Sequence, residues 1–243
     1  MLKLSFKVSK EYDAWILARF VKSQTWSEFV FYHHPNLKSL IEKMGLAKGL
    51  KRYVNDYHKK NKSLIFKKKE SLNEDWKKIN DSYETALKNL LEVSGIFNLK
   101  VTCYVSICPI NPRFLKEKIF SVYFKKNKKH SLGTVAHEVQ HFYFFHKWRQ
   151  VFPKLKAVTF ESPHKIWHLS EILTPILLSS KNIQKLTKTK PEYYPMYKKI
   201  RIGNLDIVEH FSKRYSESMR KGTNFSDFLK NCYKEVNKIR FNK

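Results

Sequence analysis

The sequence predicts an α+β fold, mainly helical, with a small sheet packed on one buried helix. Three observations predict it. Apolar residues recur at helical spacing through most of the first ninety-odd residues and again in the last forty. Residues 97–107 and 119–124 (FNLKVTCYVSI and IFSVYF) are instead rich in β-branched and aromatic residues. Between these strands and the tail lies a helical segment, 131 to about 150, whose middle (VAHEVQHFYFFHKW) is apolar nearly all the way round, as buried helices are.

Taken in order, Leu2, Leu4, Phe6 and Val8 alternate with polar residues, so 2–8 reads as a half-buried strand able to join the other two. Ser9 is placed to cap a helix carrying Trp15, Ile16, Arg19 and Phe20. A second helix follows His33 and His34, holds Leu37, Leu40, Ile41 and Met44, and stops near Gly45. A third is expected to begin near Ser71, to carry Trp76, Ile79, Tyr83, Leu87 and Leu90, and to end at Gly95. Pro109 and Pro112 mark the bend between the two strands. Past 151–163, read as a loop, a buried helix runs from 166 to about 178 with Pro175 inside it, and 204–219 and 225–239 complete the chain. No repeat, low-complexity linker or composition shift divides the sequence. A single domain over 1–243 is expected: 1–95 mostly helical, 96–180 strands plus two buried helices, 181–243 helical.

Composition narrows the function. With 42% hydrophobic residues the chain is no disordered polyelectrolyte, although 48 Lys+Arg against 21 Asp+Glu leave it at +27. Such charge attracts nucleic acid and anionic membranes alike. The cations are 40 Lys and only 8 Arg, whereas phosphate and base readers lean on the planar guanidinium. An ordinary lysine-coated surface is therefore favoured over nucleic-acid binding, and the runs 67–69 and 125–129 read as solvated loops. Three cysteines make no disulfide framework or zinc ribbon, and Cys103 and Cys108 read as core fillers. No apolar run approaches the ~18–20 residues of a membrane span, and the first residues do not read as a signal peptide. A soluble, cytoplasmic protein is expected.

The chemistry concentrates in the buried helix, where residues 137–141 read His-Glu-Val-Gln-His. Positions i and i+4 share a helix face one turn apart, so His137 and His141 can converge on one metal ion. Glu138 then lies beside the metal, placed to take a proton from its water. Composition alone gives such a pentad roughly 0.03 times in a chain with 10 His and 15 Glu. Two surface histidines salt-bridged by Glu138 are the plain alternative, and the apolar surroundings argue against it.

HEVQH on a helix preceded by a strand resembles the zincin metallopeptidases over about residues 97–178. His137 and His141 match that family's zinc-binding histidines, and Glu138 its general base. The Gly and third His of the metzincin branch are absent, since Phe142, Tyr143 and Phe144 follow His141. The gluzincin branch, which takes its third ligand from a Glu on a later helix, fits better. Glu171, a carboxylate misplaced among apolar residues thirty positions beyond His141, is the favoured ligand. Glu161, His168 and His164 are the alternatives. At the place where thermolysin-like gluzincins put an Asp that orients the first His, this chain has Pro175. Asp206, Glu209 or a backbone carbonyl is then expected to hold His137. His210, or one of Tyr193, Tyr194 and Tyr197, is the candidate oxyanion stabiliser, and His146 reads as structural.

The resemblance implies a zinc-dependent hydrolase acting on peptide or protein substrates. Two other readings stay open: a zincin-scaffold regulatory or binding protein without general proteolysis, and a basic nucleic-acid-binding protein whose pentad is accidental.

Overall fold

The computed structural model describes residues 1–241, and the fold is mainly helical α+β. The chain divides into two compact units, one of residues 1–78 and 97–135, the other of 79–96 and 136–241. Of the three points where the chain passes between them, 78/79 and 135/136 fall inside long helices and 96/97 in the short loop before β2, so no linker composition marks them.

The first unit holds a four-stranded sheet of order β1-β2-β4-β3. Strand β1 (Leu2–Lys7) pairs in parallel with β2 (Leu99–Ser106), Leu2 opposite Leu99 and Phe6 opposite Cys103. Strand β4 (Ile119–Tyr123) pairs in parallel with β2 on its other side, and two-residue β3 (Arg113–Phe114) closes the edge antiparallel to β4. Parallel neighbours cannot be joined by a tight hairpin. The chain accordingly spends over ninety residues, mostly helical, between β1 and β2.

Helix α1 (Lys10–Val21) is capped as its sequence suggests, with Tyr12 N–H donating to Ser9 Oγ. It packs on β2: Ile16 and Leu17 are buried, and Tyr12 stacks on Tyr104 at 4.0 Å between ring centroids. Asp13 is buried with them. Its carboxylate accepts from the Ser106 hydroxyl and from the Ile107 N–H (3.2 Å), and His58 Nε2 lies 2.6 Å away. Burial pushes this carboxyl above its ordinary range, and the partners oppose that push. All three cysteines are free and buried.

Helix α2 (Ser27–His33), not foreseen in the sequence, leads through His34 into α3 (Pro35–Met44). His34 is the pivot of this corner. Its Nε2 lies 3.0 Å from the Ile107 carbonyl and must carry the proton, so Nδ1 accepts from Tyr53 OH at 2.8 Å. Burial holds the imidazole neutral and lowers its pKa to about 4.

Helix α4 (Leu46–Leu91) begins twenty-five residues before the expected start near Ser71. Leu50, Val54, Ile65, Leu72 and Trp76 form its buried stripe at intervals of 4, 11, 7 and 4 residues, close to whole helical turns, with Tyr53 beside it. The lysines at 67–69 are helical, not a loop, because lysine is a good helix former and its stem is apolar. Lys68 donates to the Lys126 carbonyl. The turn at 124–127 is real, but Lys128 and Lys129 already belong to α5 (Lys128–Val151). Gly49 sits where α3 and α4 come close: a Cβ there would meet Leu40 O at 2.8 Å.

In the second unit the start of 79–96 is the end of α4, tied to α5 by Tyr83 OH donating to Ala136 O (2.6 Å). Helix α6 (Lys165–Leu178) is buried along nearly its whole length and packs on α8 (Ile207–Arg220) and α9 (Phe225–Val236). Short α7 (Lys181–Thr187) and the hairpin of β5 (Arg201–Ile202) with β6 (Leu205–Asp206) were not foreseen. No described helix is long and apolar enough to cross a membrane.

Two stability effects follow. Replacing Gly49 by Ala gains about 1 kcal/mol of helix propensity but drives a methyl into backbone, at a cost of roughly 1–3 kcal/mol. The Gly49→Ala variant should therefore unfold at lower urea concentration than wild type; a raised midpoint contradicts the close approach. His34 has a depressed folded pKa, so its contribution is complete above the unfolded value near ~6.5 and is lost as pH falls towards about 4. His34→Gln keeps a donor for Ile107 and an acceptor for Tyr53 without titrating. Its stability deficit against wild type should shrink between pH 7 and 4.5, by at most about 1.4 kcal/mol per pH unit. A deficit that widens on acidification refutes the assignment.

Candidate metal centre

His137 and His141 stand one turn apart on α5, and Glu171 projects from α6; all three belong to the second unit. The helical spacing brings the two imidazoles together, with ring centroids 4.7 Å apart and planes at 69°. Their Nε2 atoms are 2.9 Å apart. Glu171 Oε2 lies 3.3 Å from His137 Nε2, and Oε1 lies 3.3 Å from His141 Nε2. Among the described residues this is the only group of three or more His, Cys, Asp or Glu side chains whose ligand atoms all fall within 4.8 Å of one another.

The triangle can be compared with what a metal requires. Ligand atoms bonded at Zn–N of about 2.0–2.1 Å and Zn–O of about 2.0–2.2 Å in tetrahedral array stand roughly 3.3–3.5 Å apart. The two carboxylate edges match that spacing, and the imidazole edge is a few tenths of an ångström short. Burial differs usefully across the group. The His141 side chain is 0% exposed and that of Glu171 4%, whereas that of His137 keeps 21%. One corner of the cluster thus faces solvent, as a site with an exchangeable fourth position needs.

Surrounding contacts fix the orientation of His141. Its Nδ1 is 3.4 Å from Thr174 Oγ1, one turn beyond Glu171 on α6, and its ring lies nearly parallel to that of Phe145. With Nδ1 donating to the hydroxyl, the Nε2 lone pair points into the cluster. Thr174 was not foreseen, although its i+3 spacing from Glu171 places both on one face of α6. Glu138 is buried one residue beyond His137.

The other candidates are elsewhere. Glu161 is exposed in extended backbone after the 3₁₀ turn Ala157–Phe160, where Pro163 keeps a helix from starting. His164 is exposed just before α6. His168 is buried but outside the cluster. Its Nδ1 lies 3.0 Å from Tyr197 OH and its ring stacks on Phe241 at 4.0 Å. Burial lowers its pKa to about 4, and the Glu171 charge opposes that shift.

The structure commits His210, expected to stabilise an oxyanion, to Glu235: Nε2 and Oε2 are 2.6 Å apart, with Arg214 on the other carboxylate oxygen at 3.2 Å. Tyr197 is engaged with His168, and Tyr194 is half exposed. Asp206 and Glu209, expected near His137, instead cap α8 reciprocally. Glu209 N–H donates to Asp206 Oδ1 (2.8 Å), and Asp206 N–H to Glu209 Oε2 (3.2 Å). His146 lies 3.3 Å from Gln150 Nε2, one turn on along α5.

No protein-family model matches the chain, and neither a curated protein nor a solved structure matches it.

A cluster built to hold a divalent ion should be stabilised by one. At a zinc concentration a hundred times the Kd, folding stability should rise by about 2.7 kcal/mol. Glu171→Gln, which keeps the side-chain shape, should lose most of that gain in calorimetry and most of the bound zinc in elemental analysis. Equal zinc content in both proteins places the ion elsewhere.

Proposed function

We propose that the protein is a zinc-dependent metallopeptidase of gluzincin-like type, with His137, His141 and Glu171 holding the ion. The observation that carries this reading is the convergence of those three side chains from two buried helices, with Glu138 next to His137 in HEVQH. A zinc ion held there would supply Lewis acidity, lowering the pKa of water and polarising a carbonyl.

The chain's own groups supply the rest. Thr174 and the packing of Phe145 hold His141 in one tautomer and orientation. The exposed edge of His137 marks the side from which substrate reaches the cluster. Glu138 takes one proton from the attacking water as the new C–O bond forms, and delivers it to the amine nitrogen as the peptide C–N bond breaks. Buried, its carboxylate is set apart from competing solvent. Glu171 is assigned to the ion and not to proton transfer, because both its oxygens already face imidazole nitrogens. A cytoplasmic location goes with this reading, since three free buried cysteines suit a reducing compartment.

Glu138→Gln removes the base while keeping shape. It should bind zinc as wild type does and lose hydrolysis by about 10²–10⁴-fold, read by mass spectrometry on a mixed peptide library. A variant that cleaves as fast as wild type removes Glu138 from the mechanism. A wild-type protein that holds zinc yet cleaves nothing in the library favours the regulatory scaffold instead.

A further inference from the structure

We propose that the first unit binds single-stranded nucleic acid, with the rings of α2 stacking on bases and the lysines of the turn after β4 contacting phosphates. Helix α2 presents to solvent what most short surface helices do not. Trp26 at its start is 40% exposed, Phe29 42% and Tyr32 80%. These rings form a continuous series. Trp26 meets Phe29 at 6.2 Å between centroids, Phe29 meets His33 at 4.7 Å, and His33 meets Tyr32 at 5.2 Å. Every one of these contacts is edge-to-face, with planes at 72–80°, so no two rings of the series are stacked on each other.

The basic turn adjoins the same series. His33 packs on Tyr123, the last residue of β4, and the chain then turns through Lys125 and Lys126, both exposed. Their charges reach His33, whose ring titrates below its ordinary value through burial first and these lysines second. Lys125 Nζ stands 5.7 Å from the Tyr57 centroid, so aromatic and cationic groups interleave here too. The whole unit is basic, with 26 Lys+Arg against 9 Asp+Glu.

Open rings beside lysines fit a chain of bases linked by phosphates. Stacking accepts any base, and lysine neutralises a phosphate without needing the bidentate fork that arginine gives. Duplex DNA fits less well, because its bases are already stacked on each other. An anionic membrane also attracts aromatics and lysines. However, α2 is only seven residues long and offers little apolar face for insertion into lipid.

The site is independent of the metal cluster and stands or falls without it. The test is fluorescence anisotropy with a labelled twenty-nucleotide thymidine strand, set against a duplex of equal length and vesicles of phosphatidylserine and phosphatidylcholine. Wild type should prefer the single strand. The double variant Phe29→Ala, Tyr32→Ala changes only exposed rings, so it should keep its circular dichroism spectrum, weaken strand binding about ten-fold or more, and leave the salt dependence as it was. Lys125→Ala with Lys126→Ala should instead flatten the slope of log K against log salt by about 1.4. Strand binding that ignores the ring substitutions overturns the proposal, as does no preference over duplex, no binding at all, or ring-dependent binding to vesicles alone.

Discussion

The second unit depends on how one buried carboxylate is neutralised. Glu171 lies in a helix whose neighbours are Leu169, Ile172 and Leu173, and taking an ionised carboxylate out of water costs several kcal/mol unless an opposite charge meets it. Here two imidazole nitrogens meet it, and those nitrogens also converge on each other. Two protonated imidazoles at 2.9 Å would repel, and two neutral ones leave the carboxylate without a full counter-charge. One proton shared between the nitrogens meets both demands, and so does a single divalent cation, which uses both lone pairs and pairs the carboxylate. That is why the α5–α6 contact, and not the pentad alone, supports a metal.

The first unit meets the same problem in a different way, and the contrast is instructive. Asp13 is as buried as Glu171, but a hydroxyl, a backbone N–H and one imidazole surround its oxygens. Those groups are donors supplied by the protein, which is how buried polar groups are ordinarily satisfied. Asp13 ties α1 to the end of β2 and to α4 through His58, a structural role. Ser, His and Asp therefore occur together there without forming a nucleophile. The carboxylate sits between the hydroxyl and the imidazole, so the imidazole is not in place to take the serine proton.

What the sequence disclosed depended on range. His137 and His141 were legible because helical spacing is local, and Glu171 because a carboxylate in an apolar run is locally out of place. The strands at 2–8, 97–107 and 119–124 were legible for the same reason, and β1, β2 and β4 lie within them. The lysines at 67–69 carry two competing signals, charge that suggests a solvated loop and propensity that suggests a helix, and the second prevails through the first half of α4. Asp206 and Glu209 carried a local signal that pointed elsewhere: an acid three residues before a glutamate at a helix start is a capping-box pattern. The pairing of His210 with Glu235 spans twenty-five residues between two helices, and no local pattern announces it.

Charge shows the opposite limit, a property plain in the sequence that decides little until it is placed. The first unit carries a net +17 and the remainder of the chain +10, from 26 against 9 and 22 against 12 charged residues. Lysines spread over a surface attract any polyanion, and the attraction fades with salt. A preferred ligand needs a second interaction with its own geometry. In the first unit that second interaction is available where Trp26, Phe29 and Tyr32 stay uncovered next to Lys125 and Lys126. The scarcity of arginine, which on charge alone argues against nucleic acid, then acquires a narrower meaning. It argues against readout of base edges, which relies on bidentate forks, and it leaves sequence-tolerant stacking untouched.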